Sequence, residues 1–89
     1  MLPYKENISP ISATMQDVMS LESVEYTWKK KQDKTPHYGL IAQDVEKIFP
    51  RLVSTDDKGF KYVNYIELIP VLLKAVQEQQ REIEKLKNQ

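Results

Sequence analysis

The stretch NYIELIPVLLKAVQEQQREIEKLKNQ, residues 64–89, decides how the rest of the chain is read. Its apolar residues recur at helical spacing. With Ile69 at heptad position a, the a positions are Ile69, Val76 and Ile83, and the d positions are Leu72, Gln79 and Leu86. Five of these six positions are apolar, four of them Ile or Leu, while Gln77, Glu78, Gln80, Arg81, Glu82, Glu84, Lys85 and Lys87 are polar. A stripe this narrow is a coiled-coil seam rather than the face of a globular core. β-branched residues at a with leucine at d favour a parallel dimer; Gln79 departs from that pattern, and a buried polar ring there selects register or a trimer. The competing reading is a C-terminal helix frayed beyond Gln77. Leu68 and Leu73 widen the stripe in the first turns only, which predicts that this end packs on the body of the domain. Asn64 is a good N-cap, and Glu67 completes a capping-box-like start. Pro70 predicts a kink, or a regular helix beginning near Ile69 with proline in its first turn, and marks the change from body-packed to coiled helix.

The body is small. At 89 residues the prior is one domain, divided here into a body over 1–63 and the helix over 64–89. A fold of this size buries roughly 60–65% of the surface its unfolded chain exposes, so it leans on outside support. No cysteine is present, which excludes disulfides and thiolate metal sites, and a single histidine argues against zinc. No metal and no cofactor is expected, and oligomerisation is left as the support. Thirteen basic and thirteen acidic residues balance, against a nucleic-acid surface. The one dense basic run, Lys29-Lys30-Lys31 with Lys34 nearby, reads as a solvated loop. No segment approaches a membrane span, and the N-terminus has no signal-peptide pattern.

From the N-terminus, Pro3 and Pro10 set residues 1–11 as extended chain. Residues 12–21 predict a short helix, with Thr14 and Asp17 at capping-box spacing, Ser12 as a competing cap, and Met15, Val18 and Met19 on one face. Residues 23–29 alternate Val24, Tyr26, Trp28 against Glu25, Thr27, Lys29, a strand with one buried face. A polar loop over 29–36 leads to a second strand over 37–42. Residues 42–49 fit a short helix with Val45, Ile48 and Phe49 inward, ended by Pro50. Asp56-Asp57-Lys58-Gly59 between 52–55 and 60–63 predicts a hairpin. The fold class is therefore α+β: short helices and short antiparallel strands, then a long C-terminal helix forming a coiled coil with partner helices.

The run GLIAQDVEKIFPRLVSTDDKGFKYVNYIELIPVLLKAVQEQQREIEKL, 39–86, resembles the C-terminal intramolecular chaperone domain of endosialidase-type phage tailspikes and tail fibres, a domain also found in myelin regulatory factor. The matching motifs are Gly-aliphatic-Ile-Ala-Gln before an acidic helix, Phe-Pro, Leu-Val, then Gly-aromatic-Lys-Tyr-Val-Asn-Tyr and Leu-Ile-Pro-x-Leu-x-x-Ala. Lys-Glu-Asn-Ile at 5–8 and Tyr-x-Trp at 26–28 match as well. The resemblance implies that the coiled coil is trimeric: a homotrimer that helps an upstream β-rich fibre fold and then cuts itself off, a single-turnover serine peptidase in the parent protein. It implies a virion tail-fibre precursor assembled in the bacterial host cytoplasm, or alternatively a bacterial surface fibre. No nucleic acid and no membrane is implied as partner.

The implied nucleophile is a serine in a Ser-Asp-x-x-x-Lys pattern, with cleavage just before it. Lys5 falls on the lysine of that pattern. The serine would then lie one residue before Met1, with Met1 in place of the aspartate, so this chain itself is expected not to cleave. A lysine that activates a hydroxyl must be neutral, which calls for burial or a positive neighbour. His37, two before Gly39, resembles a histidine tied to cleavage in the endosialidase branch; alone it reads as a structural or solvent-exposed histidine. Gln43 lies near the implied scissile site or makes a helix-start hydrogen bond. Gly39 allows close backbone approach. Serines 9, 12, 20, 23 and 54 have no base at motif spacing and read as caps or turn residues. The resemblance also implies that Pro70 to Gln89, with Lys29 to Thr35, embraces the fibre tip. The alternative function is a trimerisation or attachment module that stays on its fibre and never cleaves.

Overall fold

Local chemistry sets the elements of this chain. The computed structural model describes residues 4–13 and 15–88. The elements are α1 (Met15–Met19), β1 (Val24–Tyr26), β2 (His37–Gly39), α2 (Ala42–Ile48), a 3-10 turn (Pro50–Leu52), β3 (Val53–Thr55), β4 (Lys61–Val63) and α3 (Tyr65–Lys87). The fold is α+β, with two small antiparallel sheets and a long C-terminal helix.

Each sheet is one hairpin. β1 meets β2 with Val24 opposite Gly39 and Tyr26 opposite His37. β3 meets β4 with Val53 opposite Val63 and Thr55 opposite Lys61. The turn between β3 and β4 is built by Asp56, whose Oδ1 accepts the backbone N–H groups of Lys58 and Phe60, each at 2.9 Å. Gly59 takes φ +85°, a conformation that costs a glycine nothing. Pro50 stops α2 as expected: the helix ends at Ile48, Phe49 turns away at φ −129°, and Pro50 opens the 3-10 turn.

Among the described residues the core is five aliphatic side chains drawn from four elements. Val45 of α2, Leu52 of the 3-10 turn, Val63 of β4, and Leu68 and Val71 of α3 are buried. Ile11, Ala13, Val18, Leu21, Leu40 and Phe49 pack partly buried around them. α3 meets the body along Leu68, Val71, Ala75 and Glu78, spaced three and four apart and therefore on one face. Two polar ties extend this contact. Glu78 Oε2 accepts the backbone N–H of Met15 at 3.0 Å, and Lys74 Nζ donates to the carbonyl of Ile11. The segment leading into α1 is thus held to the middle of α3.

Several expectations need correction. α1 covers five residues rather than ten; Thr14, its expected capping-box residue, lies outside the described residues, and Met19 points out instead of joining Met15 and Val18. β1 ends at Tyr26 and β2 at Gly39, because the paired register covers only three residues on each side; Trp28 lies past the strand and is exposed. Asn64 makes no side-chain cap. Its Nδ2 donates instead to Ser54 Oγ at 2.9 Å, so a cross-element bond wins over the local one. Pro70 lies inside α3, which runs as one element from Tyr65 to Lys87. It does not divide body-packed from free helix, since Val71, Ala75 and Glu78 beyond it still face the body. The body takes Leu68 but leaves Leu73 exposed, because Leu73 lies round the helix from the docked face.

The Glu78 tie gives a direct expectation. A carboxylate accepting a backbone N–H adds about 1.5–3 kcal/mol when shielded and less at a half-exposed position such as this. Glu78→Ala should therefore speed hydrogen exchange of the Met15 amide by about three- to tenfold, leaving the Val45 amide unaffected. Equal protection at Met15 in both proteins would mean that α1 is held by packing alone.

Candidate functional site

The single chain leaves an unusual amount of apolar surface open. Its accessible area is 8094 Å², against about 5,400 Å² for a compact chain of this mass. Its radius of gyration is 16.9 Å, where about 12 Å is ordinary for this length. Among the described residues, half of the large apolar side chains that stay exposed lie on α3. The docked face uses Leu68, Val71, Ala75 and Glu78, and the heptad seam lies roughly a quarter-turn round the helix from it. Ile69, Val76 and Leu86 are 63%, 62% and 66% exposed, and Leu72 and Ile83 41% and 40%. Gln79, the polar d residue, is exposed among them. The helix is regular to Lys87, so the seam is continuous past Gln77. The six seam residues therefore form one apolar stripe with a single polar break, pre-arranged on a rigid element.

The residues tied to cleavage are placed differently. Lys5 lies in the extended segment before α1 and is exposed. Among the described residues it makes no hydrogen bond and no ion pair. His37 opens β2, also exposed, with its ring 5.7 Å from that of Tyr26 at 35°. No hydrogen bond joins Lys5 to His37 among the described residues. Gln43 is exposed in the first turn of α2 and makes none of the helix-start bonds expected of it. Ser20 Oγ donates back to the Asp17 carbonyl at 2.7 Å and Ser54 accepts from Asn64, so these two serines act in local bonding.

Gly39 does permit a close approach, and the partner is Tyr65. A Cβ at Gly39 would stand 3.0 Å from Tyr65 Oη and 3.1 Å from Tyr26 Cε1. Tyr65 Oη in turn accepts the Leu40 backbone N–H at 3.0 Å. The first turn of α3 is thereby fixed to the end of β2. Sequence reasoning did not single out Tyr65; its only signal was its place in the Tyr-Val-Asn-Tyr motif.

The loop over 29–36 is organised by its own charges. Lys34 Nζ donates to the carbonyls of Trp28 at 2.7 Å and Lys29 at 3.0 Å. Lys31 Nζ stands 5.6 Å from the Trp28 ring centroid, within cation–π range. Asp33 Oδ1 accepts the Thr35 hydroxyl at 2.5 Å and the Thr35 N–H at 2.9 Å. The hydroxyl bond first, then the backbone bond, hold the Asp33 carboxyl below its ordinary value, with a small contribution from the charge of His37.

A group lowered in the folded state steadies it above the unfolded titration and loses that effect as pH falls through the folded one. The Asp33–Thr35 turn should therefore be intact at neutral pH and loosen only in acid. Carbon-detected NMR titration should find Asp33 titrating below a free aspartate, and Thr35→Ala should move it back up. Coincident curves for the two proteins would remove the hydroxyl as the cause.

The comparisons with known proteins bear on the body. No curated protein matches the chain. A family described as chaperone of endosialidase matches residues 4–54, from the extended N-terminal segment to β3, and the match stops short of α3. This span is more than half of the chain and includes Lys5, His37 and Gly39, and on it the chain belongs to the chaperone of endosialidase family.

Proposed function

We propose that this chain is the trimerising part of an intramolecular chaperone for an upstream β-rich fibre polypeptide, within a virion tail-fibre precursor. The observation that carries the reading is the exposed a/d stripe of α3, beside a core of five buried side chains among the described residues. Burying apolar area contributes about 25 cal/mol per Å². A second and third copy covering Ile69, Leu72, Val76, Ile83 and Leu86 supply what the single chain lacks. The polar d residue Gln79 then meets its two equivalents, a device that sets register and copy number.

The device suits its client. Interwoven β-fibres depend on contacts distant in sequence, fold slowly, and expose strand edges while they do so. A helical trimer forms from local structure and holds three upstream chains at millimolar effective concentration. Release afterwards leaves the fibre held by its unfolding barrier rather than by equilibrium.

Release follows from the family's serine–lysine chemistry. A serine directly after the scissile bond attacks the carbonyl on its N-terminal side. Its hydroxyl proton passes to the neutral Lys5 amine and then to the leaving nitrogen as the C–N bond breaks. Water hydrolyses the resulting ester, regenerating the serine hydroxyl and leaving a carboxylic acid on the fibre. Lys5 is exposed in the single chain, whereas this role needs an amine kept neutral by burial. Neighbouring copies or the upstream chain must supply that burial. The same exposure is what favours the second reading, a trimerisation or attachment module that never cleaves.

Two measurements decide. Sedimentation equilibrium should return three times the 10.5 kDa chain mass, and Leu72→Lys with Ile83→Lys should return the monomer. Both residues are exposed in the single chain, so the variant should keep its helix content; a trimer that survives the two lysines would refute the seam. For release, a precursor carrying upstream fibre and Ser-Asp in place of Met1 should cleave before the serine, and Lys5→Ala should slow this by about 100-fold or more. Equal rates with and without the lysine would leave only the attachment module.

A further inference from the structure

The two flanks of the α3 seam are treated unequally by the fold. On one side of the a/d stripe lie the g positions Leu68, Ala75 and Glu82; on the other lie the e positions Ile66, Leu73, Gln80 and Lys87. The chain's own body covers the upper g flank, where Leu68 is buried and Ala75 half-buried. The upper e flank is apolar and largely open, with Ile66 82% and Leu73 57% exposed; Leu73 stands at the edge of a shallow groove that Pro10 and Ile11 form beside Pro70. In a cyclic trimer the helices run parallel and every interface is heterologous, one surface of a copy meeting a different surface of the next. The e flank of one helix then faces the g flank of its neighbour. Leu73 of one copy is brought opposite Leu68 of the next, and Lys87 opposite Glu82.

Leu73 cannot meet a bare helix there, because the body stands over the g flank. It meets what the body builds beside that flank. An apolar groove of about 340 Å³ lies at this place. α1 and the segment after it supply Val18 and Leu21, the end of β2 supplies Tyr38 and Leu40, and Leu68 and Leu72 complete the lining. Leu72 is also a d residue, so groove and seam are one continuous surface. Lower down, where no body covers the helix, the facing pair Glu82 and Lys87 carries opposite charges, which selects the same parallel register.

We propose that this groove is the docking site for a second copy of the chain. Leu73 of each copy inserts into it, and Ile66 covers its upper rim against Tyr38. The proposal rests on the trimer reading above. It adds that the body, and not the helix alone, forms the interface. The occupant is a second copy because the heptad register brings Leu73 to the groove mouth once the seam closes.

The chain has no cysteine, so introduced pairs report cleanly. Leu21→Cys combined with Leu73→Cys should give, on mild oxidation, a covalent trimer on a non-reducing gel. Tyr38→Cys combined with Leu73→Cys should do the same, and Tyr38, 86% exposed, can be replaced without touching the core. Each single variant should give no covalent trimer, since a closed ring of three needs both ends of a heterologous contact. Leu73→Ala should weaken association by about tenfold or more. A trimer by sedimentation that yields no covalent trimer from either double variant overturns the groove docking alone. Single Leu73→Cys chains that couple efficiently to each other overturn it too. A monomer at every concentration overturns both this inference and the trimer reading.

Discussion

The docking of α3 on the body through Leu68 and Val71 constrains everything else in this chain. Those two side chains meet Val45, Leu52 and Val63, and together they form the buried core among the described residues. A helix of 23 residues has room for more than one apolar stripe, and this one uses one face for its own body and keeps the next for others. The polar ties from Lys74 and Glu78 to the backbone of Ile11 and Met15 fix the rotation of the helix about its axis. With that rotation set, the direction in which Ile69, Val76 and Ile83 point is no longer free. The seam is therefore presented at a defined angle to the body rather than on a loosely attached arm.

What the sequence made legible follows the range of the interactions involved. The Asp56–Gly59 hairpin and the stop at Pro50 rest on two or three adjacent residues, and both form as expected. Alternation of Val24 and Tyr26 correctly marks the half-buried face of β1, but strand length is set by pairing across to His37–Gly39, which no local pattern reports. Asn64 has every local reason to cap α3, and it is diverted by Ser54, ten residues away. Tyr65, Lys74 and Glu78 were invisible as structural ties because their partners are backbone groups brought near only by folding. Leu73 was misplaced for a related reason: apolar spacing shows that a residue lies in a stripe, not which of two surfaces claims it.

The candidate site divides in the same way. The a/d stripe is legible because it is an excess, apolar residues left over after the body has been satisfied, and a periodic pattern records it fully. The roles of Lys5 and His37 came only through resemblance, and the family match over residues 4–54 includes both positions. In the single chain they lie on separate exposed segments without a shared hydrogen bond. A reactive arrangement that, as proposed, draws on several copies and on chain further upstream would have no geometry for one copy to display. This differs from a pocket enzyme, whose acid and base are preorganised within one chain.

The attachment of Ile11 and Met15 to one turn of α3 has a consequence for whatever lies ahead of them. Each copy pins the start of its own body at a fixed height on the helix, between Lys74 and Glu78. In the trimer proposed here, three such pins would lie in one plane about the threefold axis, and three chains leading into them would begin their course with zero stagger. Misalignment by a single residue would turn every side chain of a β-strand to the wrong face. A shared starting plane removes that freedom before any upstream hydrogen bond forms, in the way a loom fixes the origin of its threads.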